Sequence, residues 1–138
     1  MTLATTQNDA PYAYADGTPV RNWYGEAYRG LSSLRLGIQN SMNIVAVKTL
    51  VDITPQLGYE YLLDFGFTTL VDNEEINGKV FSDIQPTLAL GGITKGVKNI
   101  ELNASYATIA NGGEYLEPKM YTKVTDHDGN VILDADEI

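Results

Sequence analysis

From Leu31 onward the apolar positions fall into helical registers, and behind a polar junction at Ser41-Met42-Asn43 they thicken into the run Ile44, Val45, Val47, Leu50, Val51 and Ile53. A segment apolar on most of its circumference is a buried central helix in a water-soluble protein, although its β-branched residues also permit a strand. The segment in front runs from Ser33, a residue that caps helices, to Asn40, with Leu34 and Ile38 one turn apart. Thr54-Pro55 behind it is a helix start signal, a Thr cap followed by Pro at the first helical position. Leu57, Tyr61, Leu62 and Phe65 then share one face, and Gly66 ends that helix.

The remainder alternates between loop and element. Residues 1–22 show no sustained period of 2 or 3.6 and read as loop, and Arg21 to Gly30 is aromatic-rich, with Trp23, Tyr24 and Tyr28. Such aromatics either stack on a ligand or pin a long loop onto its own domain. Residues 69–79 are polar and acidic and carry Asn77-Gly78, a turn. Pro86 to Gly92 is a short apolar segment closed by two glycines; a helix from about Lys98 to Ala110 follows and stops at Asn111-Gly112-Gly113. Met120 to Thr125, the turn signal Asp128-Gly129 and Val131 to Leu133 predict a β-hairpin.

Composition narrows the function classes. The chain has 138 residues, 43% hydrophobic and 20% charged, enough to bury a core and too apolar for disorder. Its net charge of -9 argues against a nucleic-acid partner, because phosphates need a Lys/Arg surface. Without cysteine there is neither a disulfide framework nor a Cys-ligated metal site, and a lone histidine, His127, excludes a multi-histidine one. A Ser-His-Asp triad would have to run through His127, which lies in a predicted turn between Asp126 and Asp128, an ordinary setting for a solvated imidazole. Asp126, Asp128 and Asn130 do not make an EF-hand loop, since the glycine is misplaced and no closing Glu follows. Gly91, Gly92 and Gly96 lack the Lys-Ser/Thr of a phosphate-binding loop. No cofactor is expected. No apolar run approaches the roughly 20 residues of a membrane span.

Ser41 and Asn43 are the candidate site. A turn between two helices escapes the one-face rule of a continuous helix, so two polar side chains two residues apart can aim at one spot. The plainer alternative is a Ser after one helix and an Asn capping the next.

Taken together, Gly25-x-x-Tyr28-x-Gly30, Leu34-Arg35, Ser41-Met42-Asn43 and Ala46-Val47-Lys48 resemble the middle of the transpeptidase domain of class A penicillin-binding proteins. The likeness continues through Leu88 to Gly92, Gly96-Val97, Ala104 to Thr108, Ala110 to Gly113, Pro118 and Lys123-Val124-x-Asp126-x-x-Gly129, covering roughly residues 17–133. That family joins three motifs at one acylation site: S-x-x-K with the nucleophile, S-x-N, and K-T-G. The resemblance implies that Ser41 helps pass a proton between the lysine, the nucleophile and the leaving amine, and that the Asn43 amide holds the peptide backbone of the substrate.

The departures are as informative. None of Ser32, Ser33, Ser41, Ser82 and Ser105 has Lys three positions on, and Lys48-Thr49 is followed by Leu50 instead of glycine. Lys98-Asn99 stands where the family usually opens the helix with Thr-Pro, a weaker cap. The resemblance thus implies an internal fragment, inactive alone, of an enzyme that cross-links peptidoglycan stem peptides and is acylated by β-lactams at the extracytoplasmic face of a bacterial membrane. The expected fold is α+β and mostly helical, part of a penicillin-binding/β-lactamase-like transpeptidase domain: residues 1–30 a loop region, 31–113 a helical subdomain, 114–138 a β-hairpin and tail. Its partners would be stem peptide and β-lactams in the parent, the rest of the domain, and other copies through exposed apolar faces. The alternative is a non-catalytic module of the same fold that binds a peptide or partner.

Overall fold

The computed structural model describes residues 1–135. In chain order the elements are β1 (Thr6–Asp9), β2 (Tyr12–Ala13), β3 (Pro19–Val20), β4 (Gly30–Ser33), α1 (Leu34–Gln39), α2 (Asn43–Ile53), α3 (Pro55–Asp64), β5 (Glu74–Ile76) and β6 (Lys79–Phe81). A 3-10 helix, Pro86–Leu90, precedes α4 (Asn99–Ala110), β7 (Lys123–Thr125) and β8 (Val131–Asp134). The strands form separate antiparallel pairs, β1 with β4, β2 with β3, β5 with β6 and β7 with β8. The class is therefore α+β, with more strand than a mostly helical reading allows.

Helix α2 is the centre, as its apolar circumference requires. Ile44 and Val47 are fully buried, Val45 nearly so, and Val20, Tyr12, Tyr14 and Ala89 pack around them. The 3-10 helix, α1, β1 and α3 all lie against α2. Thr54 and Pro55 start α3 as expected, the Thr54 hydroxyl accepting the Leu57 N–H at 3.3 Å. Lys98 supplies no side-chain cap to α4, in keeping with its departure from Thr-Pro. Asn77 and Gly78 both take positive φ, as a tight two-residue hairpin turn demands, and join β5 to β6.

One expectation needs correction. Residues 1–30 are not merely loop: β1 pairs with β4 from Thr6 opposite Ser33 to Asp9 opposite Gly30, and β2 pairs with β3. Strand β1 is Thr-Gln-Asn-Asp, without an apolar residue, so alternation had nothing to mark; of the four only Asp9 is buried. The same pairing makes residues 30–33 strand, and the helix begins at Leu34 with Ser33 as its cap, as expected, the Ser33 hydroxyl accepting the Leu36 N–H at 3.2 Å. On the shared face of α3, Leu57 (39%) and Tyr61 (56%) are exposed, while Leu62 and Phe65 are half-buried. Gly58 makes the close approach instead, since a Cβ there would lie 2.4 Å from Leu50 Cδ1. Helix α4 buries Glu101, Ala104, Ser105 and Thr108 and turns Leu102, Tyr106 and Ile109 outward. At the C-terminal end the hairpin is β7 with β8, and the tail at 136–138 lies outside the described residues.

Candidate functional site

Helices α1, α3 and α4 end in the same way. In each, the amide two residues past the last full turn reaches back to a carbonyl five residues earlier: Met42 to Gly37 (2.9 Å), Phe67 to Leu62 (3.2 Å) and Gly113 to Thr108 (2.9 Å). Such endings require a left-handed residue, usually glycine, because a Cβ is strained there. Gly66 (φ 86°) and Gly112 (φ 71°) fill that position in α3 and α4, but in α1 it is Ser41, at φ 52°. A side chain has been kept where the backbone favours none, and strain of this kind gathers at functional sites.

The left-handed turn ends α1 and starts α2 within three residues, with Met42, only 1% exposed, as its buried anchor. Ser41 is exposed and Asn43 half-buried, and both line one groove of about 530 Å³ between α1, α2 and the 3-10 helix. Its other walls are mostly apolar, among them Ile38, Ala46, Leu90 and the ring of Tyr106. Asn43 does not cap α2: Met42 is the N-cap residue, and the Asn43 Nδ2 donates to the Arg21 carbonyl at 2.9 Å. The two residues singled out in the sequence thus share one groove.

Among the described residues lining the groove there is no Lys, His, Asp or Glu. Lys48 donates from Nζ to the Asn8 carbonyl (2.9 Å) and sits over the Tyr12 ring, so its ammonium is engaged elsewhere. The groove therefore offers hydroxyls and an amide that can donate and accept hydrogen bonds, but no carboxylate, imidazole or amine. Among the described residues no three His, Cys, Asp or Glu side chains gather as a metal would require. Asp126 instead accepts the N–H groups of Asp128 and Asn130, an ordinary turn, and His127 is exposed beside Asp128.

Residues Arg21 to Trp23 face the turn. Trp23 Nε1 donates to the Asn40 carbonyl at 2.8 Å, and Asn22 Oδ1 accepts the Ile44 N–H at 3.1 Å. Neither Trp23 nor Tyr24 lines the groove; both pin the loop. Burial, reinforced by the hydrogen bond to Asp9 and its charge, pushes the Tyr24 phenol up to about 12, against an opposing pull from Arg29, so it stays a donor. The sequence offers no local signal for Asn22, whose partners lie 13 and 22 positions away.

The family model described as "Penicillin binding protein transpeptidase domain" matches residues 1–137. The chain belongs to that family. Among similar transpeptidase-family proteins, penicillin-binding protein 1A of Clostridium novyi is 33% identical over 142 residues, covering 97% of this chain and 16% of the relative. Penicillin-binding protein 1F of Bacillus subtilis is 33% identical over 94% of this chain and 16% of its own length. The crystal structure of penicillin-binding protein 1A from Haemophilus influenzae superposes with a TM-score of 0.74 at 25% identity, across 98% of this chain and 19% of that one. This transpeptidase segment thus spans about a sixth of the curated relatives it matches. No helix among the described residues is long and apolar enough to cross a membrane.

Proposed function

We propose that this chain is one wall of the acylation site of a D,D-transpeptidase, which cross-links peptidoglycan stem peptides through an acyl-serine at the extracytoplasmic face of a bacterial membrane. The observation that carries the reading is Ser41, a non-glycine residue held left-handed beside Asn43 at the rim of one groove. With one N–H of Asn43 spent on the Arg21 carbonyl, its Oδ1 and second N–H remain as an acceptor and a donor, the complement of a peptide unit. The Ser41 hydroxyl donates and accepts, so it passes a proton between a neighbouring base and the leaving amine.

The nucleophile and its lysine come from polypeptide outside these residues, since no Ser here has Lys three positions on. The same holds for the K-T-G strand that would close the opposite side. An outward apolar stripe on α4 next to the groove supports packing against the rest of such a domain. Incubated with a fluorescent penicillin, the intact transpeptidase carrying this segment is labelled and the 138-residue chain alone is not. Covalent labelling of any serine in the isolated chain would overturn the division of labour proposed here.

A further inference from the structure

We propose that Asn22 is a positioning residue for the Ser41-Asn43 turn and that Asp9 holds it in place; this rests on the transpeptidase reading above. Helix α2 begins without a side-chain cap from Met42, so its first amides need acceptors from elsewhere. Asn22 supplies one across the fold, its Oδ1 accepting the Ile44 N–H at 3.1 Å. The Nδ2 of the same amide donates to Asp9 Oδ1 at 2.7 Å, which fixes which way the amide faces.

Asp9 is buried, 1% exposed, and every bond its carboxylate makes goes to residues 22–29. Its Oδ2 accepts the Tyr24 hydroxyl at 2.8 Å and the Arg29 N–H at 2.9 Å. Consecutive residues then grip the turn in register. The Arg21 carbonyl takes Asn43, the Asn22 amide takes Ile44, and Trp23 takes the Asn40 carbonyl. Strand β1 brings Asp9 there through its ladder with β4, which leads directly into α1. The turn is thereby clamped from a carboxylate more than thirty positions upstream, and a displacement of about 1 Å at reacting groups costs on the order of a hundredfold in rate.

The test is an exchange of the two side chains in the intact transpeptidase, read as the second-order rate of acylation by benzylpenicillin at a temperature where melting curves show each variant folded. N22D faces two carboxylates, and D9N faces two amides that cannot satisfy both Tyr24 and Ile44. The D9N/N22D pair restores donor to acceptor and moves the carboxylate to the N-terminus of α2, where negative charge is favoured. Each single variant is expected to acylate at least tenfold more slowly and the pair to recover most of the loss. Folded single variants that acylate at the wild-type rate would overturn the proposal, as would a folded pair that stays slow. If a single variant does not fold, the pair against wild type decides in the same way. A wild-type enzyme that takes no penicillin would instead fault the transpeptidase reading itself, before any variant is compared.

Discussion

Gly37 runs so close to Val45 that a Cβ on it would lie 2.6 Å from Val45 Cγ1 and 3.3 Å from Val45 Cβ. The absent side chain lets the Val45 side chain of α2 pack directly on α1, and the left-handed Ser41 turn joins the two helices. Gly37→Ala forces the two helices apart; overpacking of a buried contact costs roughly 1–3 kcal/mol. A denaturant melt checks the stability, and slower β-lactam acylation in the intact enzyme checks the turn.

Ser41 separates stability from function. Glycine at this position relieves a left-handed strain of about 1–2 kcal/mol, partly offset by the greater chain entropy of unfolded glycine. S41G is therefore expected to be up to about 1 kcal/mol more stable than wild type while acylation slows, whereas S41A keeps the strain and loses the hydroxyl. A less stable S41G would show that the turn is not strained.

Asp83 is expected to make the fold acid-sensitive. Burial pushes its carboxyl up, but the Thr94 hydroxyl, the Val71 and Thr94 N–H groups and nearby Lys95 outweigh that and hold it below the usual carboxylate range. An acid depressed in the native state stabilises above its unfolded value, near 4, and the contribution is lost as pH falls through the lower native value. Stability should therefore fall as pH is lowered from about 5 through the unfolded value and below it. D83N loses on the order of 2–3 kcal/mol at neutral pH and flattens the acid slope.

The isolated chain should self-associate. Tyr106 (69% exposed), Ile109 (65%) and Ile38 (74%) stand open near the groove, a patch that monomers rarely leave bare. Size exclusion should find species larger than 15.1 kDa, increasing with salt as the -9 charge is screened, and Tyr106→Ser with Ile109→Ser should shift them toward monomer. A monomer at every concentration would favour the self-sufficient binding module.

What could be read from the sequence follows the range of the forces involved. Helices α2, α3 and α4 were legible because periodicity and punctuation agree locally, as at Thr54-Pro55, Gly66 and Asn111-Gly112. Strand β1 was not, because its polar residues are ordered by a ladder to residues about two dozen positions away. Helix α4 does not follow a simple amphipathic pattern: Glu101 is buried against Thr68, whose hydroxyl donates to its carboxylate, while Leu102, Tyr106 and Ile109 face outward. At the site, Ser41 and Asn43 stood out as polar residues between two helical patterns. Asp9 and Asn22 did not, since only the tertiary fold brings them to α2.

The central claim is that Asn43 faces a peptide substrate at the acylation site. The most direct measurement is the second-order rate of acylation of the intact transpeptidase by benzylpenicillin, wild type against Asn43→Ala, with melting curves as the control for folding. Loss of a group that orients the reacting bond predicts a fall of about a hundredfold with the melting temperature little changed. An unchanged rate in a folded N43A enzyme would contradict the assignment.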